Sequence, residues 1–262
     1  MLSDCHVHLA SYDSHELRGI VRRANEANVT IIITAGSTYE TSLAGIDLAK
    51  SHDIIYASVG IHPMRLRGYL QQEDYQALEQ LATTHPKVIA WSETGMDYLP
   101  NAPDHKWQEQ AFREQIRLAR IAKLPLIWHS QVPEPNLAHR HPETLRILNE
   151  EHAGDLGGIM HYFQADEATA RAAIESGFFV SFAKPLLRQP HLTEVARKIP
   201  LEHIVLETDA SPQPWKSHRS DWTEPKDVAL VAQKLATIKG VSVEQVAEVT
   251  TQNLMKLVAL DK

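Results

Sequence analysis

Residues 2–36, LSDCHVHLASYDSHELRGIVRRANEANVTIIITAG, hold a complete strand–helix–strand unit. In its middle, Leu17, Ile20, Val21 and Ala24 recur at helical spacing, and Asn28 can end that helix. VTIIITAG, residues 29–36, is then a β-branched run of strand length closed by Gly36. In the opening LSDCHVHL, Asp4, His6 and His8 stand at alternate positions, so on a strand they share one face. Cys5 then falls on the opposite face, as a small buried residue.

The alternation continues to the end of the chain. Strand-like runs recur at IIYASVG (54–60), VIAWSETG (88–95), PLIWHS (125–130), GGIMHYF (157–163), FFVSFA (178–183) and IVLETDA (204–210). Helical patterns separate them, at 40–52, 74–85, 106–123, 141–152, 167–177 and 191–199. The runs are almost continuously apolar, which suits strands buried on both faces of a parallel sheet. Eight such units predict a (β/α)8 TIM barrel of the α/β class. The helix at 226–240 closes the eighth unit, and 242–260 adds an extra C-terminal helix. A doubly wound sheet is the alternative, but it usually carries a Gly-rich phosphate turn, which this sequence lacks. No linker or composition break divides residues 1–262, so a single domain is expected.

Composition narrows the function. A net charge of -7 argues against a broad cationic surface for long nucleic acid. The lone cysteine excludes an internal disulfide framework and suits a reducing, cytoplasmic setting. No leader-like or membrane-spanning apolar run is expected. Histidine, with 15 copies, is over-represented, and neutral imidazole is a common metal ligand.

In a barrel of this type, catalytic groups gather at the C-terminal ends of the strands. Strand one ends in His6 and His8, strand three in His62, strand four in Glu93 and Asp97. Strand five ends in His129, six in His161 and eight in Glu207 and Asp209. His52, His85, His105, His152 and His203 fall in helices or loops and read as surface or capping residues, while Trp91 and Trp128 read as packing against helices.

These residues, in order, resemble the TatD-like metal-dependent hydrolases of the amidohydrolase-type barrels. DCHVHL is similar to that family's D-x-H-x-H opening, GIHP to its third-strand turn and SETGMDY to its E-x-G-x-D-Y segment. WHS, MHYF and ETDA occupy its positions on strands five, six and eight. The resemblance implies two divalent ions, magnesium, manganese or zinc, with His6, His8, Glu93 and Asp209 around one and Glu93, His129 and His161 around the other. Glu93 bridges them, Asp209 orients the attacking water or accepts its proton, and His62 meets phosphate or the leaving group. Asp4, steering a ligand histidine, joins Asp97 and Glu207 behind the ligands. The implied activity is hydrolysis of a phosphodiester, that of a deoxyribonuclease.

The sequence departs from the family pattern where substrate would lie. Gln131 follows His129–Ser130 where many relatives have arginine, HYFQAD replaces the usual H-C-F-S-G, and Pro212 stands one place later than usual. Arg140, in a long loop after strand five, is a candidate replacement for the arginine, and Lys184 and Arg188 after strand seven are further phosphate contacts. DNA ends or short oligonucleotides are therefore the expected partners. One alternative is hydrolysis of a small ester, lactone or amide at the same site. Another is a metal-binding relative without turnover.

Overall fold

The structure, a computed structural model, describes residues 1–132 and 141–260. Arg140, anticipated above as a substrate contact, lies outside the described residues. Strands β1 (Leu2–Val7), β2 (Val29–Thr34), β3 (Ile55–Val59) and β4 (Val88–Asp97) pair in parallel with β5 (Leu126–Gln131), β6 (Gly158–Met160), β7 (Phe178–Phe182) and β8 (Ile204–Leu206), in chain order. The barrel closes where the chain leaving β8 returns to β1. Val7 bridges Ala210, and the His6 carbonyl accepts from the Asp209 amide at 3.1 Å.

Helices α1 (Ser14–Glu26), α2 (Tyr39–Ser51), α3 (Gln72–Thr84) and α4 (His105–Ala122) follow the first four strands. Helices α5 (His141–Glu150), α6 (Glu167–Glu175), α7 (Pro190–Lys198) and α8 (Val228–Lys239) follow the other four. Local chemistry fixes several starts. Asp13 accepts from the amides of His15 and Glu16, Thr38 from Thr41, and Asp166 from Thr169, each satisfying helix amides that have no partner in the helix. Asn28 adopts φ 59 after α1, as a turn out of a helix requires.

A final helix, α9 (Val243–Leu257), closes the end of the barrel away from the mouth. Leu254 and Val258 are buried in the interior cluster with Ile31, Ile33, Ile127 and Val205. Asn253 Nδ2 donates to the carbonyls of Leu201 and Ile204, fastening α9 to the entry of β8. No helix among the described residues is long and apolar enough to cross a membrane.

Two strands are shorter than the sequence suggests. β6 stops at Met160 and β8 at Leu206, so His161, Glu207 and Asp209 lie just past the sheet. Just beyond these ends, Tyr162 at φ 49 and Asp209 at φ 53 take left-handed backbone that departs from strand geometry. Cys5 is buried, as expected, but it faces the interior cluster with Ile31 and Ile33 rather than the helices. The β1–β2 register shifts between Asp4 and Val7, which breaks simple alternation. Cys5 points into the barrel, its Sγ 3.5 Å from Ser181 Oγ and 3.7 Å from Glu207 Oε2.

Candidate functional site

Glu93 is the centre of the mouth. It is buried and adopts φ 25, inside a stretch where the β4–β5 register shifts between Ser92 and Gly95. Such a bulge re-aims a side chain that regular alternation would send elsewhere. Its Oε1 lies 3.3 Å from Nε2 of His6, 3.6 Å from that of His8, 3.9 Å from that of His161 and 4.0 Å from that of His62. Asp209 Oδ1 completes one side, 3.2 Å from His8 Nε2 and 3.9 Å from His6 Nε2. On the other side His129 Nδ1 stands 3.4 Å from His161 Nε2.

Overlapping sets of donors result. His6, His8 and Glu93 form one group able to hold a cation, and Glu93, His129 and His161 another; His62, Asp97 and His129 form a third. His6 Nε2 and Asp209 Oδ1 are buried without a well-aligned hydrogen bond, their nearest polar neighbours being Glu93 Oε1 at 3.3 Å and His8 Nε2 at 3.2 Å. Leaving such atoms unsatisfied costs about 1–3 kcal/mol each, and a cation between them would remove that cost. The mixture of imidazole nitrogen and carboxylate oxygen suits zinc, manganese or a similar divalent ion.

Electrostatics agree with a cluster built for positive charge. Burial would raise the Glu93 carboxyl, but the surrounding imidazoles, His8 foremost, hold it well below the usual carboxylate range. Burial and the neighbouring His129 push His62 down to about 3, so it is neutral at working pH. Its Nδ1 accepts from the Met64 amide at 3.0 Å, which leaves Nε2 carrying the proton toward Glu93.

The residues behind this cluster act in different ways. Asp97 Oδ2 lies 3.0 Å from His129 Nε2, so that nitrogen donates to the carboxylate and the Nδ1 lone pair faces the site. Glu207 accepts from the Tyr162 amide at 2.5 Å and sits 3.7 Å from His161 Nδ1. Asp4 acts through the main chain rather than through an imidazole ring. Its carboxylate accepts from the amides of Thr208 and His6 and from the Thr208 hydroxyl, tying β1 to the segment that carries Asp209.

Two supports escape a sequence reading. Gln108 and Gln115 are buried on α4, seven residues apart on the face that also carries Ala111, Phe112 and Ala119. Gln108 brackets Asp97, accepting from its amide and donating to its carbonyl. Gln115 does the same for Ile61, beside His62, and also accepts from Trp91 Nε1. Two amides on an otherwise apolar helical stripe are the signal that was available.

Lys184, anticipated as a phosphate contact, has partners within the chain. Its Nζ pairs with Asp227 Oδ2 at 3.0 Å and meets Thr223 Oγ1 at 3.3 Å, so its charge is used to pin the connection after β8. Arg188 is exposed and makes no ion pair among the described residues. Gln131, Tyr162 and Gln164, three positions where the sequence departs from the family pattern, come together as walls of a single cavity of about 280 Å³.

A (β/α)8 barrel with such a mouth belongs to a metal-dependent hydrolase. The chain is a member of the TatD-related DNase family, whose family model matches residues 3–259. It is 32% identical over 266 residues to an uncharacterized metal-dependent hydrolase, YabD, of Bacillus subtilis, with 98% of each chain covered. It is 29% identical to the human deoxyribonuclease TATDN3, covering 98% of this chain and 94% of that one. The crystal structure of YjjV, a TatD homolog from Escherichia coli, shares the fold with a TM-score of 0.87 at 24% identity, covering 98% of both chains.

Proposed function

We propose that the protein is a phosphodiesterase of the deoxyribonuclease type, acting on accessible DNA ends or short oligonucleotides with two divalent ions. The observation that carries this reading is the sharing of Glu93 by two donor groups, one toward His6 and His8 and one toward His129 and His161. A carboxylate has two oxygens to share, so it suits a bridge between ions. The description of the human relative as a deoxyribonuclease supports the choice of bond.

Divalent ions held there would lower the pKa of water to about 7 and neutralise charge on a phosphoryl group. The chain's own groups supply the rest. Asp209, beside His8, orients the attacking water and takes its proton at a carboxylate oxygen. His62 donates its Nε2 proton in a hydrogen bond to an oxygen of the scissile phosphate. Asp97 and Gln108 keep His129 in one tautomer and one orientation. The net charge of -7 restricts binding of long duplexes, which is why ends and short strands are the favoured substrates.

The test is incubation of metal-stripped protein with a short single-stranded DNA oligonucleotide, with magnesium, manganese or zinc added back. Nucleotides are released only with added metal, and a covalently closed single-stranded circle resists. Rapid cutting of the circle would overturn the preference for ends, and a fully metal-loaded protein inert toward every phosphodiester would overturn the reading itself.

A further inference from the structure

Of two cavities that differ in chemistry, one is lined by Glu93 and the other by His161, whose Nε2 lies 3.9 Å from Glu93 Oε1. One, of about 320 Å³, is walled by His8, His62, Glu93, Arg65 and hydroxyl side chains, so it carries charge. The other, of about 280 Å³, runs past His161 toward Tyr162, Gln131, Gln164 and Gln189, and no Lys, Arg, Asp or Glu lines it among the described residues. Its one other titratable imidazole, His141, is also neutral, since burial pushes it to about 4.

The second cavity holds a donor and an acceptor side by side. Gln189 Nε2 donates to Gln164 Oε1 at 2.9 Å, and Gln189 Oε1 is buried without a hydrogen-bond partner. Reversing both amides preserves the pairing, so one NH2 group and one carbonyl lie outside it in either orientation. The Gln164 main chain is fixed as well, its carbonyl lying 3.0 Å from His191 Nε2. Tyr162 adds an aromatic wall, held by the bond from its amide to Glu207. A neutral slot with an amide edge and an aromatic face fits an uncharged planar ring bearing adjacent N–H and C=O groups.

We propose that this cavity is a nucleobase subsite. The Gln164–Gln189 pair hydrogen-bonds the N–H/C=O edge of the base next to the scissile phosphate, and Tyr162 lies against its ring. The inference deepens the phosphodiester reading and rests on it for the placing of the phosphate. It makes the enzyme selective for nucleotides over phosphodiesters of equal charge that lack a base.

Two measurements test it with wild type, Gln164→Ala/Gln189→Ala and the size-conserving Gln189→Glu. In the first, binding of free thymidine, which has no phosphate, is followed by saturation-transfer NMR. Thymidine binds the wild type, and both variants weaken it at least fivefold. In the second, kcat/KM is compared for thymidylyl-thymidine and bis(p-nitrophenyl) phosphate. Losing hydrogen bonds to the base lowers the first by about tenfold and leaves the second within twofold. Unchanged thymidine binding in both folded variants, or an equal fall for both substrates, would overturn the subsite. If wild type turns over neither phosphodiester, the proposed function fails, and thymidine binding alone still decides whether the cavity takes a base.

Discussion

Replacing Glu93 with Gln lowers hydrolysis by at least about a thousandfold, with the fold retained. Glutamine keeps the volume of the side chain but removes its charge and turns one oxygen into a donor. Around Glu93 Oε1 stand the Nε2 atoms of His6, His8, His62 and His161, all within 4.0 Å. An uncharged amide cannot balance a cation there, and its N–H₂ cannot serve as a ligand. Glu93→Asp keeps the charge but withdraws it by one methylene, so it retains more activity than Glu93→Gln while remaining far below wild type. Steady-state rates at saturating manganese check both, with circular dichroism confirming the fold. Activity of Glu93→Gln within tenfold of wild type would remove Glu93 from its central role.

Gly95→Ala destabilises the barrel by about 3–5 kcal/mol and, where the protein is still folded, cuts the rate at least about a hundredfold. Gly95 pairs with His129 across β4 and β5. At its φ of +152, a Cβ would lie 1.9 Å from the His129 carbonyl oxygen. Side chains other than hydrogen rarely accept that backbone conformation, and the clash is with main chain, which cannot swing away. The two strands must therefore part at the point where they carry Glu93 and His129. Thermal unfolding gives a Tm lowered by about 10 °C. Gly68→Ala is the control, because an added Cβ there meets nothing within 4 Å, and it leaves Tm and rate near those of wild type. An unchanged Tm for Gly95→Ala would show that the strands can separate without cost.

Much of this arrangement is legible in the sequence because strands and helices have different periods. Apolar runs with polar residues at their C-terminal ends announce parallel strands, and a barrel topology brings those ends to one mouth. His6, His8, Glu93, His129, His161 and Asp209 could be placed there without coordinates. What the sequence conceals depends on irregular backbone and on distant partners. Glu93, Tyr162 and Asp209 take positive φ without being glycine, so residue type does not mark them. The irregular pairing of β1 between Asp4 and Val7 leaves no periodic trace either. Lys184 looks free in sequence, since its partner Asp227 lies 43 residues away. Gln108 and Gln115 are hidden for the opposite reason, as polar residues on a stripe that reads as core.

The most direct test of the account is metal stoichiometry. Metal-free protein is dialysed to equilibrium against manganese and the bound ion is counted, with Glu93→Gln in parallel. The account predicts close to two ions per wild-type chain, magnetically coupled by electron paramagnetic resonance because they share a bridge, and at most one uncoupled ion in the variant. One ion per chain in the wild type at saturation, or two in both proteins with unchanged coupling, would contradict it.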